Sequence, residues 1–260
     1  MTTAPLDHAR RAYDAFAPFY DEFTSHHDDE LWTGVLERLA RESGLVGRRL
    51  LDIACGTGRS FLPMLARGYE VTACDISPAM VERAREKSAG AARVVVRDIR
   101  ALERLGAFDL VWCLGDALNY LQDEAELAAV FAGVRRNVAP GGIFICDVNT
   151  LATFRQVYSS LLVKPDDEQV LILDGQGTRS LAPQGSAEVW IDRLTPASGG
   201  WWTRTRSVHH HRHHAPGELE RQLRAAGLEP VAAYGSRLSG EVEPGVDESR
   251  HVKAVVIARG

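Results

Sequence analysis

Apolar positions along this chain recur with two periods, and the alternation between the periods sets the architecture. Over 8–43, Tyr13, Phe16, Phe19, Tyr20 and Phe23, then Leu31, Trp32, Val35, Leu36 and Leu39, return at helical spacing. Pro18 breaks this run, because its ring removes a backbone donor and crowds the preceding turn. Gly44 and Gly47 stop it. Five strand-like apolar runs follow at 49–54, 69–75, 93–97, 108–114 and 142–148, with helical patterns between them at about 58–67, 78–88 and 124–138. Ser77-Pro78 reads as a cap followed by proline at the first helical position, and Asp123 as the cap of the last of these helices. Ala139-Pro140-Gly141-Gly142 stops that helix. Strands alternating with helices imply an α/β fold with a doubly wound parallel sheet covered on both faces.

The pattern changes after about residue 150. Leu151 to Leu162 reads as a short helix, and 168–174, 187–194 and 201–211 as antiparallel strands separated by Gly175, Gly177, Gly185, Gly199 and Gly200. Gly217 to Ala226 is helical again, and Gly227 stops it. Val231–Tyr234 and Val252–Ala258 then close the main sheet antiparallel. The stretch 150–212 is therefore a small antiparallel β insertion after the fifth strand, within a single domain spanning 1–260. It is placed to roof a pocket or to form a dimer surface, with Trp190, Trp201 and Trp202 supplying broad apolar faces.

The chemistry gathers at Leu50-Leu51-Asp52-Ile53-Ala54-Cys55-Gly56-Thr57-Gly58-Arg59-Ser60-Phe61. A buried strand running into a glycine-rich turn and then a helix brings backbone against a ligand at the carboxyl edge of the sheet. A dinucleotide site wants a third glycine where Phe61 stands, which disfavours a nicotinamide oxidoreductase. Asp75, ending the second strand, can accept both hydroxyls of a ribose. Asp98, after the third, can accept from an adenine amine with Ile99 against the ring. No lysine follows the turn to grip phosphates. These residues suit a nucleoside without a pyrophosphate.

Composition narrows the partners. With 260 residues, 45% of them hydrophobic, the chain can bury one full core. A net charge of -5 and no basic block argue against nucleic acid. No apolar run approaches the roughly 20 residues of a membrane span. The stretch Met1-Thr2-Thr3-Ala4-Pro5-Leu6-Asp7-His8 lacks the charged and apolar regions of a leader. Cys55, Cys74, Cys113 and Cys146 fall at or near strand ends with no C-x-x-C pair, so buried thiols in a reducing cytoplasm are expected, with neither disulfide nor metal.

The chain resembles the class I S-adenosylmethionine-dependent methyltransferases. The resemblance rests on Leu51 to Gly58, Asp75, Arg97-Asp98-Ile99, Phe108-Asp109-Leu110-Val111 and the Leu-Ala-Pro-Gly-Gly type of stretch ending at Gly142, where this chain has Val138 first. It implies a Rossmann-like seven-stranded sheet with the last strand inserted antiparallel. It also implies S-adenosylmethionine as cofactor, with Gly56 and Gly58 under its methionine end, Asp52 supporting the turn and the amino group, Asp75 on the ribose, and Asp98 with Ile99 on the adenine. Ala54, Cys55, Ile76, Met80, Leu114 and Gly115 complete the surroundings. In related small-molecule enzymes an N-terminal aromatic helix covers the cofactor, which gives Tyr20 or Tyr13 a path to its carboxylate, or else a merely stapling role.

Methyl transfer from a sulfonium needs position and dryness more than a strong catalytic signature. Asp116 and Asn119, after the fourth strand, either orient an acceptor or cap the next turn, with capping the favoured reading; Asp147 and Asn149 have similar standing. In His209-His210-His211-Arg212-His213-His214, alternate histidines share one face of a strand. A solvated or partner-facing edge is the default for such a run; the functional options are a base at His209 or His211 and, less favoured because no carboxylate or cysteine accompanies the run locally, a metal. The expected activity is methyl transfer to N, O or C of a small molecule, in natural-product tailoring by resemblance. The alternative of another class is a non-catalytic cofactor-binding or scaffold protein. A homodimer is the expected assembly.

Overall fold

The computed structural model describes the backbone of residues 5–165 and 168–260, with side chains from His8 onward. Met1 to Ala4, within the stretch read above for a leader, lies outside the described residues. The N-terminal pattern forms α1 (Pro5–Phe16), a tight turn Ala17–Phe19 at Pro18, α2 (Tyr20–Phe23) and α3 (Asp29–Glu42). Asp28 caps α3 by accepting from the Leu31 N–H at 2.9 Å. Leu36, Leu39 and Ala40 bury its inner face.

The alternation that follows is β1 (Arg49–Ile53), α4 (Leu62–Ala66), β2 (Glu70–Asp75), α5 (Pro78–Ser88), β3 (Ala92–Val96), β4 (Phe108–Cys113), α6 (Glu124–Asn137) and β5 (Val138–Asn149). Ser77 and Asp123 cap α5 and α6 as their sequence context predicts, at 3.1 Å and 2.8 Å. After the insertion come α8 (Pro216–Ala225), β10 (Glu229–Ser236), β11 (Val242–Pro244) and β12 (Lys253–Arg259). The sheet order is β11-β10-β12-β5-β4-β1-β2-β3, with β12 antiparallel between β5 and β10. The expected seven strands are thus present, and β11 adds an eighth at the edge. Three residues are too few to show a period of two, so it was invisible in the pattern.

Side chains of the central strands alternate between two cores. Leu51, Ile53, Val111, Cys113, Phe144 and Cys146 face one side with Phe131 of α6, while Leu50, Leu110, Trp112, Ile143 and Ile145 face the other with Leu36 of α3. The turn after β1 opens where these strands end.

The insertion is α7 (Leu151–Gln156) and a four-stranded antiparallel sheet, β6 (Leu161–Pro165), β7 (Val170–Gly175), β8 (Ser186–Pro196) and β9 (Trp202–Arg212). The helix expected over Leu151 to Leu162 ends six residues early. Leu161 and Leu162 pair with β7 instead, and the strand they begin lies exposed at the sheet edge. Apolar residues on an edge strand mimic helical spacing, and only the pairing partner separates the two. The insertion does not stand apart: Phe16 and Phe19 share a core with Phe154, Tyr158, Leu171, Val189 and Ile191.

Phe61 explains the missing third glycine. Its ring is fully buried directly under Gly58 (φ 88°), where a Cβ would lie 2.7 Å from the ring. The turn therefore rests on an aromatic floor. Phe61→Ala is expected to cost about 3–5 kcal/mol in urea unfolding, with no gain of affinity for NAD in calorimetry.

Candidate active site

The site is built from the carboxyl ends of β1, β2, β4 and β5. At the end of β1, Ala54 (φ 60°), Gly56 (φ 54°) and Gly58 turn the backbone through left-handed conformations. Asp75 braces that turn: one oxygen accepts from the Gly56 N–H and the other from the Ser77 N–H, both at 2.9 Å. Burial still pushes Asp75 up to about 6. Asp52 is buried beneath the turn. Ser60 Oγ donates to its Oδ2, while Oδ1 has no partner. Burial pushes Asp52 up to about 7, against the opposing bond from Ser60.

The N-terminal segment is tied down beside this turn. Thr57 Oγ1 donates to Asp21 at 2.5 Å, Lys87 reaches both Thr57 and Asp21, and Ser77 Oγ donates to Asp14 at 2.5 Å. Arg59 holds the Asp21 and His27 carbonyls and pairs with Asp29 at 2.7 Å. Tyr20 lies over the turn, its ring 3.8 Å from where a Cβ on Gly56 would be. Tyr13 is displaced toward β9, 5.3 Å from the Tyr120 ring and 5.6 Å from His209.

The other candidates around the cradle differ in exposure. Asp98 accepts from the Arg100 N–H at 3.0 Å and is ion-paired with the Arg100 guanidinium, which also reaches Glu126 at 2.7 Å. Ile99 and Ile76 are half-buried, Cys55 and Leu114 nearly buried, and Met80 fully buried within α5. Gly115 (φ 74°) is exposed, with nothing within 4 Å of its Cβ position.

Beyond Gly115 the structure corrects the sequence. Asp116 makes no capping bond to the turn Ala117–Tyr120 that follows it. Held at φ 66°, it accepts from Asn149 Nδ2 at 2.9 Å and the Tyr158 hydroxyl at 3.0 Å, and lies 3.8 Å from His211 Nε2. Burial pushes it up to about 6. Asn119 does not cap either: its Oδ1 accepts from the Asn149 N–H at 2.8 Å and its Nδ2 donates to the Arg212 carbonyl at 3.0 Å, joining β5 to β9. Asp147 accepts from the Gly115 and Asp116 N–H groups and pairs with Lys253 at 2.9 Å.

The histidine run is not a solvated edge. His209, His211, His213 and His214 are all buried; His210 faces outward beside Glu188. The reason is α1, which packs across β9 and covers the face that an edge would have exposed. His209 has both nitrogens engaged, Nδ1 with the Tyr120 hydroxyl and Nε2 with Ser207 Oγ, each at 2.8 Å. His211 has neither engaged; it stacks on Tyr158 at 4.7 Å and lies 4.4 Å from the Tyr120 ring. Burial lowers His209 to about 3 and His211 well below the usual imidazole range, so both are neutral. His213 is bonded to Glu248 and His214 to Arg212. Among the described residues, no three His, Cys, Asp or Glu side chains are grouped to hold a metal ion. Trp201 and Trp202 lie exposed at the distal hairpin, and Trp190 stacks under Arg206 at 4.0 Å. Tyr120, Tyr158 and Ser207 belong to this cluster, and nothing in their local sequence marked them.

Asp52 gives a pH test. Its folded value, about 7, lies above the unfolded 3.8. The folded state therefore keeps a proton that the unfolded state has lost. That contribution is complete below about pH 4 and is lost as pH rises through about 7. Without ligand, the stability of the wild type relative to Asp52→Asn should fall between about pH 4 and pH 7 in urea unfolding and level off above; a constant difference would show Asp52 ionised throughout.

Residues 50–142 match the family model for a methyltransferase domain. YqeM of Bacillus subtilis (strain 168), a methyltransferase by assignment, is 29% identical over 224 residues, 84% of this chain and 86% of that protein. For further curated methyltransferases the matched stretch spans 52% to 66% of their length. An S-adenosylmethionine-dependent methyltransferase from Clostridium acetobutylicum ATCC 824 superposes with a TM-score of 0.78 at 24% identity, over 95% of this chain and 98% of that one. The amino pentose methyltransferase CalS10 from Micromonospora echinaspora, solved with S-adenosylmethionine bound, gives 0.69 at 20% identity, over 93% and 95%. Among the described residues, no helix is long and apolar enough to cross a membrane. Residues 50–142 thus match a methyltransferase domain, and the order of the sheet with the turn after β1 gives the chain the fold of solved S-adenosylmethionine-dependent methyltransferases.

Proposed function

We propose that the enzyme methylates a small molecule at an N–H or O–H group, bound beneath the insertion with Asp116 and His211 on its acceptor side. His211 carries the reading. A buried imidazole with neither nitrogen bonded is costly to leave unsatisfied. Placed 3.8 Å from a carboxylate beside the exposed Gly115, it is suited to a hydrogen-bonding acceptor. Burial disfavours its charged form, so it offers a bare ring nitrogen as a hydrogen-bond acceptor that orients the N–H or O–H group.

The cradle fits the cofactor on its own chemistry. The unpartnered, buried Asp52 Oδ1 suits an ammonium group, and the open space at Gly115 leaves room for a ligand. In this reading Ala54, Cys55, Gly56 and Gly58 hold the methionine end, under Tyr20. Asp75 holds the ribose, and Asp98 with Ile99 the adenine, lined by Ile76, Met80, Leu114 and Gly115. The bound cofactor supplies a methyl group activated on a sulfonium. The protein's residues orient the acceptor, exclude water and accept its proton. The amino pentose enzyme makes amino sugars the first class to assay.

The exposed Leu161, Leu162 and Val163 on the outer edge strand suit contact with a second copy of the chain. Sedimentation of wild type and Leu162→Lys tests this, with a shift to monomer expected.

Transfer of labelled methyl to a panel of amino sugars, phenols and alcohols tests the activity. Asp75→Ala should weaken S-adenosylhomocysteine binding at least about tenfold, the loss of charge-assisted hydrogen bonds. His211→Ala should keep that affinity while kcat falls on the order of 10²-fold or more. An unchanged kcat would take His211 out of the acceptor site.

A further inference from the structure

Methylation at an N–H or O–H group leaves a proton inside a site roofed by α1 and the insertion. We infer that Tyr120, His209 and Ser207 form a relay that carries this proton from the acceptor site to a surface cleft. The inference rests on the proposed N–H or O–H acceptor. At the inner end, Tyr120 is half-buried, packs against His211 and interacts electrostatically with Asp116. Its hydroxyl meets His209 Nδ1 at 2.8 Å, and His209 Nε2 meets Ser207 Oγ at 2.8 Å. At the outer end, Ser207 lines a cleft of about 190 Å³ with His8, Arg11, Ala12, Arg206 and Val208, and His8 and Arg11 on its rim are exposed.

The bonds from Tyr120 and His209 both point toward Ser207. Ser207 Oγ has the Ile191 carbonyl at 3.4 Å as a long acceptor, so it donates there and accepts from His209 Nε2–H. His209 Nδ1 is then bare and accepts from Tyr120. Burial keeps His209 neutral, so one ring nitrogen carries a proton while the other accepts. The groups facing His209 are Tyr13 from α1, Tyr120 from the turn after β4, and Ser207, His210 and His211 from its own strand. No carboxylate bonds to it, so nothing traps a proton midway.

The transfer balances. The acceptor's N–H or O–H bond breaks as its proton passes to the Tyr120 oxygen. The original Tyr120 proton moves to Nδ1, the Nε2 proton moves to Ser207 Oγ, and the original Ser207 proton leaves to water in the cleft. The three residues keep their charge and proton count. His209 ends as its Nδ1–H tautomer, so one outward transfer is the event that a single turnover reads.

The test compares wild type, Ser207→Ala and Ser207→Thr in single turnovers with a primary-amine amino sugar. Methyl transfer is followed by label and proton release by a pH indicator, with S-adenosylhomocysteine affinity measured alongside. In wild type the two signals should coincide. In Ser207→Ala the proton should lag about tenfold or more at unchanged affinity. Ser207→Thr keeps the hydroxyl, has the cleft to take its methyl, and should restore coincidence. Coincident signals in Ser207→Ala overturn the relay, and so does a Thr variant that lags like Ala, since the position would then be structural. A wild type inactive on every N–H or O–H acceptor overturns the functional reading and the relay with it; an active wild type matched by Ser207→Ala overturns the relay alone.

Discussion

The packing of α1 across β9 is the contact on which the histidine cluster, the proposed acceptor side, depends. Phe16 sits at its centre, edge-on to Phe19, Tyr20 and Phe23 at 5.0–5.2 Å and to His209 at 5.5 Å. One apolar ring thus joins the N-terminal segment, the residue over the cofactor turn and the inner face of the insertion. Without it, β9 would present its histidines to water, where they would titrate near neutrality. With it, His209 and His211 are desolvated and neutral, and the carboxyl of Asp116 beside them is raised too.

The two ends of the site are held by different forces. Toward the cofactor, the N-terminal segment is attached by charge: Asp21 to Lys87 and Thr57, and Arg59 to Asp29. These pairs are partly exposed, so salt and water weaken them. Toward the acceptor the same segment is attached by aromatic packing, which salt does not screen. A cover of this kind can loosen at the cofactor turn while keeping its grip on the insertion. Asp52, Asp75 and Asp116 share one logic across the site, since burial leaves each carboxyl poised to change protonation when a cationic or hydroxyl-bearing group arrives.

Local pattern was most informative where one element suffices to determine the outcome. Ser77 and Asp123 cap their helices because a side-chain oxygen three residues before a free N–H has one low-energy arrangement. The β1–β5 alternation was legible because buried parallel strands must be apolar throughout. Legibility failed where a residue's partner is distant in sequence. Leu161 and Leu162 became strand because β7 pairs with them. Asp116 turned from cap to partner of Asn149 and Tyr158 because β5 and the turn after α7 pass beside it.

By itself, then, the sequence determined the doubly wound sheet, the turn at Gly56 and Gly58, and the carboxylate at Asp75, because each follows from spacing within a few residues or from strand order. It also showed, through Phe61, that the turn lacks a dinucleotide's third glycine. Only the tertiary structure decided that Phe61 is the floor of that turn, that the histidines face inward, and that Tyr120, Tyr158 and Ser207 join them. The reason is physical: burial and hydrogen-bond partnership belong to pairs of surfaces. On β9 the second surface is a helix nearly 200 residues earlier, and no local pattern carries that information.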